Sequence, residues 1–160
     1  MTKYSPAVSD IRKPKLLAIA SGGGHWVQLL RLRRAFEGCE VIFATVSEAY
    51  RADAGGQRFY CVCDATRHTW IRLIRAGWQV LSIILKERPD IVISTGAAPG
   101  YLAIRIGKFI GSSTIWVDSI ANVEELSMSG ALAGPHADLW LTQWSHLAKE
   151  SGPHFRGAVL

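Results

Sequence analysis

The sequence predicts an α/β fold, a Rossmann-like parallel sheet with helices on both faces. Three observations carry this expectation. Short apolar runs alternate along the chain with segments of helical periodicity, the pattern of a parallel sheet flanked by helices. The first apolar run leads through Ser21-Gly22-Gly23-Gly24 into a helix opened by His25, as at the carboxyl edge of a doubly wound sheet. No repeat, low-complexity tract or linker divides the 160 residues, a length that suits one domain. Residues 1–14 read as a flexible basic arm and residues 15–160 as a single Rossmann-like domain.

The elements follow in order. Residues 15–20 (KLLAIA) form the first strand. Residues 25–36 are helical, with Trp26, Leu29, Leu30 and Leu32 apolar and Arg31, Arg33 and Arg34 basic. Residues 40–45 (EVIFAT) and 58–63 are the second and third strands. Residues 70–86 form a long helix that stops before Pro89. Residues 90–95 (DIVIST) are a fourth strand, followed by a glycine-containing turn and a helix over 100–110. Residues 114–118 (TIWVD) are a fifth strand and 139–142 a short sixth. Between them, 119–138 is rich in small and polar residues and reads as a functional loop plus a short helix. Residues 155–160 suit a last strand, a partner contact or both.

The bulk chemistry narrows the partners. The chain is 49% hydrophobic and 19% charged with net charge +5, and its mean hydropathy is +0.15 with pI near 9.4. An excess of positive charge favours an anionic partner: a phosphate, a nucleic acid or an acidic membrane surface. Nucleic acid is disfavoured, because the basic residues are interleaved with apolar helix faces and do not gather into one patch. Cys39, Cys61 and Cys63 have no metal-ligand spacing and read as small apolar residues in a reducing compartment. Cys61 and Cys63, two apart in the third strand, are expected on one face. No secretory signal is expected from the polar, basic residues 1–15, and no apolar run reaches the roughly 18–20 residues needed to span a bilayer. The expected place is the cytoplasmic face of the membrane, peripheral or monotopic.

The glycine turn is the first candidate site. Amides at a helix N-terminus face anions, and glycines let a phosphate come close. Gly22, Gly23 and Gly24 are contiguous, so neither a dinucleotide fingerprint nor a P-loop is present. A tight turn without a ligand accounts for the glycines equally well. His25, at the opening of the helix, adds a hydrogen-bond donor or general base. His68, His136, His146 and His154 are scattered, without metal-ligand spacing. The turn after the fourth strand, with Thr95 and Gly96, shares this edge, and Asp118 and Asn122 end the fifth strand there. Loop capping is the competing account of the polar residues.

The helix over 70–86 is the second. Arg72, Arg75, Gln79, Ser82 and Lys86 are spaced 3, 4, 3, 4 and form one polar stripe; nearly everything else is apolar, including Trp70 and Trp78. A helix on one side of a sheet needs an apolar arc of only about 100°. The surplus faces another helix, a partner chain or lipid, and tryptophan beside arginine suits a membrane interface. Enclosure within the domain is the alternative. The helix over 100–110 repeats the theme with Arg105 and Lys108.

Three blocks, SGGGHWVQLLRL, DIVISTGAAPGYLAIRIGK and DSIANVEELSMSGALAGPHADLWLTQWSHLA, resemble one family. It contains the membrane-anchoring subunit of the bipartite UDP-N-acetylglucosamine transferase of lipid-linked oligosaccharide synthesis and bacterial exopolysaccharide counterparts of the PssD type. The resemblance covers nearly the whole chain from Lys15 onward, and the family is similar to the N-terminal, acceptor-binding domain of MurG-like GT-B glycosyltransferases. It implies a membrane-associating subunit that binds a polyprenyl-diphosphate-linked acceptor and recruits a catalytic partner, as a heterodimer, with the UDP-sugar donor at the shared interface. By matching motifs, Ser21, Gly22, Gly23, Gly24 and His25 fall in the acceptor-side loop, and Thr95 and Gly96 in the second glycine-rich loop. Asp118 and Asn122 fall where relatives carry an acidic residue and a following polar position. Asp118 departs from the commoner glutamate, a shorter arm. Eukaryotic members carry an N-terminal membrane-spanning helix; here membrane contact is expected through Trp70, Arg72, Arg75, Trp78, Arg105 and Lys108.

The expected activity is therefore inverting transfer from a UDP-sugar to a hydroxyl of a lipid-linked sugar, with His25 or Asp118 assisting deprotonation. The subunit is expected to be inactive alone, since a complete GT-B enzyme needs two Rossmann-like domains. No metal and no cofactor are expected. The rival readings are a non-catalytic membrane scaffold that recruits the catalytic subunit, and a stand-alone nucleotide-binding Rossmann protein.

Overall fold

The computed structural model describes residues 12–65 and 69–159; residues 1–11 of the expected arm, His68 and Leu160 lie outside them. Seven strands form one parallel sheet in the order β3-β2-β1-β4-β5-β6-β7. They are β1 (Lys15–Ile19), β2 (Glu40–Thr45), β3 (Arg58–Cys61), β4 (Ile91–Ser94), β5 (Ser113–Val117), β6 (Leu139–Thr142) and β7 (His154–Phe155). The helices are α1 (Gly24–Arg31), α2 (Trp70–Glu87), α3 (Ala97–Ile110) and α4 (Met128–Ala133).

The inner strands are apolar on both faces because both are covered. One face joins Leu17, Ile19, Ile42 and Ala44 to Val80 and Ile84 of α2, Ala103 and Ile104 of α3 and Ala133 of α4. The other joins Leu16, Ala18, Phe43 and Phe59 to Trp26 and Leu29 of α1. Leu17 lies opposite Ile42 on one side and Val92 on the other, so the middle of β1 is flanked by apolar strands on both sides.

Several boundaries differ from the sequence expectation, each for a local reason. After Arg31 the first helix tightens into a 3₁₀ turn, Leu32–Phe36, which carries Phe36 into the core beside Phe43. β3 ends at Cys61, so Cys63 lies beyond the ladder and donates its N–H to Gln79 Oε1 at 2.7 Å. With that bond Gln79 is half-buried, while Arg75 and Ser82 on the same stripe are exposed. α3 begins at Ala97, three residues early, because Pro99 is tolerated in a first helical turn. α2 closes with Arg88 in the left-handed region, φ 51°, ahead of Pro89. The three cysteines are half-buried and free. Burial first, and Glu48 next, pushes the Cys61 thiol up, the opposite of what a reactive thiolate needs.

Two contacts tie the start of the described chain to the amino edge of the sheet. Arg12 pairs with Asp90 at 2.7 Å, and Pro14 accepts the Glu40 N–H at 2.9 Å. At the same edge the buried Glu87 accepts from Tyr60 and Arg58, fastening the end of α2 to β3.

Candidate functional site

All strands are parallel, so their carboxyl ends share one edge. β1 lies between β2 and β4: the chain leaves β1 toward β2 over one face and leaves β4 toward β5 over the other. The starts of α1 and α3 therefore flank a crevice between β1 and β4, the switch point where doubly wound sheets bind ligands.

Gly23 turns the chain from β1 into α1 with φ 66° and ψ −136°, a conformation in which a side chain is strained. Its N–H donates to the Tyr50 hydroxyl at 2.9 Å, and Tyr50 packs on the ring of Trp26. Trp26 in turn donates to Asp53 at 3.0 Å. One amide of the turn is thus already paired, while those of Gly24 and His25 stand at the head of the helix, where no intrahelical partner exists.

His25 crosses the crevice. Its backbone carbonyl accepts from Thr95 Oγ1 at 2.7 Å and its Nδ1 lies 2.9 Å from Ser21 Oγ. A Cβ on Gly96 would drive into the imidazole, so glycine there is a requirement of the histidine's seat. Gly96 has φ 150° and Ala97, next to it, φ 65°, a left-handed conformation costing a non-glycine residue about 1–2 kcal/mol. Burial lowers the His25 pKa from 6.5, and the nearby Asp118 carboxylate opposes that by a smaller amount. Burial thus favours the neutral ring, which, with Nδ1 engaged by Ser21, can present Nε2 to a reactant.

Asp118 sits at the end of β5, 1% exposed. Its carboxylate accepts from Trp116 Nε1 (3.2 Å), the Ser127 amide (2.9 Å), the Ser127 hydroxyl and Asn122 Nδ2 (3.5 Å). Ser127 also caps α4, accepting from the Gly130 amide at 2.8 Å. Asp118 and Asn122 thereby shape the 119–127 loop, and both oxygens of the Asp118 carboxylate already accept hydrogen bonds.

The structure brings Ser21, His25, Thr95, Gly96 and Asp118 together at one point. It separates the membrane-facing candidates into two groups. Trp70 (67% exposed), Arg72, Arg75 and Trp78 (69% exposed) lie on the outer face of α2. Arg105 instead reaches His136 at 3.0 Å and Tyr101 at 3.5 Å, and Lys108 is paired with Asp138. The Lys108 amine and the Thr114 amide hold the Asp138 carboxyl below the usual range. Sequence reasoning missed Tyr50, Gln28 and Gln143, whose partners are distant in the chain. It also missed Ser127, although a serine just ahead of a helix is a legible N-cap.

Residues 58–159 match the family described as oligosaccharide biosynthesis protein Alg14 like. The chain belongs to that family. It is similar to the UDP-N-acetylglucosamine transferase subunit ALG14 of Eremothecium gossypii, 26% identical over 91% of this chain and 83% of that one. A second Alg14 relative, from Yarrowia lipolytica and named in the same words, is 23% identical over 92% of this chain and 80% of its own. Among solved structures, Acinetobacter baumannii MurG superposes with a TM-score of 0.74 at 12% identity, over 89% of this chain and 45% of that one. The UDP-N-acetylglucosamine 2-epimerase from Rickettsia bellii gives 0.69 at 16% identity, again over 45% of its length. At such identities the likeness is one of fold. This Alg14-like chain spans less than half of each solved protein and has the Rossmann-like fold of a GT-B glycosyltransferase half.

Proposed function

We propose that this chain is the acceptor-binding, membrane-associating subunit of a two-component glycosyltransferase. The donor is a UDP-sugar, UDP-N-acetylglucosamine by likeness to the relatives' names, and the acceptor a polyprenyl-diphosphate-linked sugar in oligosaccharide or exopolysaccharide synthesis. The observation that carries this reading is the imidazole of His25, seated over Gly96 and held by Ser21 and Thr95 between the starts of two helices at the switch point.

A catalytic partner supplies the donor site, and the active site closes between the two subunits. The acceptor diphosphate lies against the head of α1, where the Gly24 and His25 amides and the helix dipole favour negative charge. The acceptor hydroxyl attacks the anomeric carbon as the bond to UDP breaks; its proton passes to His25 Nε2 and UDP leaves with the bonding electron pair. Asp118 does not take the proton, since its oxygens are committed to the loop. It stabilises the imidazolium that forms. Thr95 and Ser21 fix the histidine.

α2 runs from β3 back to β4, antiparallel to the strands, so its Trp70 end lies at the same edge as the crevice. Trp70, Ile71, Ile74 and Trp78 are exposed there beside Arg72 and Arg75, an apolar face with basic residues suited to the interface of an anionic bilayer. Met128 and Leu132 of α4 are exposed as well. Among the described residues no helix is long and apolar enough to cross a membrane, so association is proposed as peripheral, from the cytoplasmic side.

The test is sugar transfer from a panel of UDP-sugars to lipid-linked acceptor, comparing this chain, its partner and both together. Product is expected only from both, and His25→Ala is expected to cost about 10²–10⁴-fold in turnover. Full turnover by His25→Ala would end the base role; product from this chain alone would end the two-subunit reading. The exposed face of α2 supports a second reading, a scaffold that only delivers the partner to the membrane. Under it, crevice variants keep full turnover and only variants of the α2 face lose it.

A further inference from the structure

Two buried glutamines, Gln28 on α1 and Gln143 after β6, join the helix that carries His25 to three separate stretches of the carboxyl edge. Gln28 Nε2 donates to Ser119 Oγ at 3.2 Å, and its Oε1 accepts from the Ile120 amide at 3.4 Å and from Gln143 Nε2 at 3.1 Å. Gln143 Nε2 also donates to the Asp118 carbonyl at 2.9 Å, and its Oε1 accepts the Val159 amide at 2.8 Å. Both side chains are buried, 6% and 4% exposed. Arg31, one turn beyond Gln28, donates to the Val159 carbonyl at 3.4 Å.

α1 has eight residues, too few to hold itself as an isolated helix. Its apolar contacts, Trp26 and Leu29 on the sheet, resist departure from the sheet better than they resist sliding along it. Hydrogen bonds are directional, and buried amides left unmatched are costly. The paired amides therefore fix the axial position and rotation of α1 against the ends of β5 and β6. His25 lies one turn before Gln28 on the same helix, so this lock sets where its imidazole stands relative to Gly96, Ser21 and Asp118.

We propose that Gln28 and Gln143 are positioning residues for His25. They hold the acceptor-side base at its seat without touching substrate. This rests on the function proposed above only where turnover is concerned; the placement of the imidazole is a property of the chain itself.

The experiment reads both. The imidazoles of the full chain are titrated by ¹⁵N-edited NMR, and kcat and KM are measured for the two-subunit enzyme with UDP-N-acetylglucosamine. The groups facing His25 are the Ser21 hydroxyl, the Thr95 hydroxyl, the Gly96 backbone and the Asp118 carboxylate. Gln143→Leu removes, at similar size, the bonds that tie Gln28 to the Asp118 carbonyl and Val159 through Gln143. It is expected to move the His25 titration upward, toward the ordinary histidine value, as the seat loosens and burial lessens. kcat is expected to fall about ten- to a hundredfold with the donor KM unchanged, as for a reacting group displaced by a fraction of an ångström. Gln143→Glu keeps the acceptor for Val159 and loses the donors to Gln28 and Asp118, and is expected to behave like Gln143→Leu.

Ser119→Ala, which deletes one bond at the rim of the network, gives a smaller shift in the same direction and serves if the Gln143 variants do not fold. Folded variants with an unmoved His25 titration would overturn the proposal. A moved titration with unchanged kcat would uphold the positioning role and instead remove His25 from the chemistry.

Discussion

α2 and α3 carry the same signature in the sequence, apolar residues over most of the circumference with a few cations between them, and they end in opposite situations. α3 packs against α2 on one side and α4 on the other, burying Ala103, Ile104 and Gly107. Its cations are exposed but held by partners, Arg105 by His136 and Lys108 by Asp138. Among the described residues α2 stands at the rim, packed against α3, and leaves Trp70, Ile71, Ile74, Trp78 and Leu85 exposed. Arg72 and Arg75 are exposed beside them. Surplus apolar surface on a middle helix is taken up by its neighbours; on a rim helix it stays available to lipid or to a partner. Phe109, 93% exposed in the last turn of α3, lies at the opposite edge of the sheet, away from the crevice.

The largest expected difference is in stability. Ile104→Ala empties a fully buried site between α3 and the sheet and is expected to cost about 2–5 kcal/mol in urea denaturation. Ile71→Ala, on the open face of α2, is expected to stay within about 0.5 kcal/mol. A comparable loss at Ile71 would mean that the α2 face is enclosed after all.

Next comes vesicle binding. Trp70→Ala with Trp78→Ala removes two large apolar groups from the exposed face of α2, each worth about 1.5–3 kcal/mol when fully buried. Cosedimentation with anionic vesicles is expected to weaken at least about tenfold, the insertion being partial. Phe109→Ala is expected to bind as the parent does. Equal losses in both would mean that the membrane meets the whole helical layer and not the edge beside the crevice.

Smaller again is the effect of charge. A basic residue near an anionic surface contributes about 1 kcal/mol, so Arg72→Gln and Arg75→Gln are each expected to weaken binding about fivefold at low salt. Arg105→Gln and Lys108→Gln are expected to leave vesicle binding unchanged. The Lys108–Asp138 pair is exposed at both ends and its loss is worth at most about 1 kcal/mol of stability.

This contrast marks what the sequence could and could not tell. Periodicity fixes which residues are apolar and where strands and helices fall, so the parallel sheet, the glycine turns and the edge that gathers His25, Thr95, Gly96 and Asp118 were all legible. It cannot say which helix ends up in the middle of its layer, since that depends on strand order; hence Arg105 and Lys108 read like Arg72 and Arg75. Nor could it assign Asp118, because its four donors come from Trp116, Asn122 and Ser127 through a loop of weak periodicity. Gln28 looked like any polar residue on a short helix, its partner Gln143 lying 115 residues away.

The smallest expected effect lies at the buried start of α3, where Gly96 and Asp118 set the charge state of His25. Burial lowers the histidine's pKa below 6.5 and Asp118 partly restores it, so the acid limb of kcat against pH is expected below 6.5 and not above it. Asp118→Asn removes the restoring charge, and the limb is expected to move to still lower pH, provided the loop holds its shape. The same shift acts on stability. Between the folded pKa and 6.5 the unfolded chain binds the proton that the folded chain refuses, so stability falls as pH drops through that window and is regained above it. His25→Asn should remove this part of the acid sensitivity. An acid limb above 6.5 in the parent would mean that the Asp118 charge outweighs burial, and that the crevice is wetter than its packing against Gly96 implies.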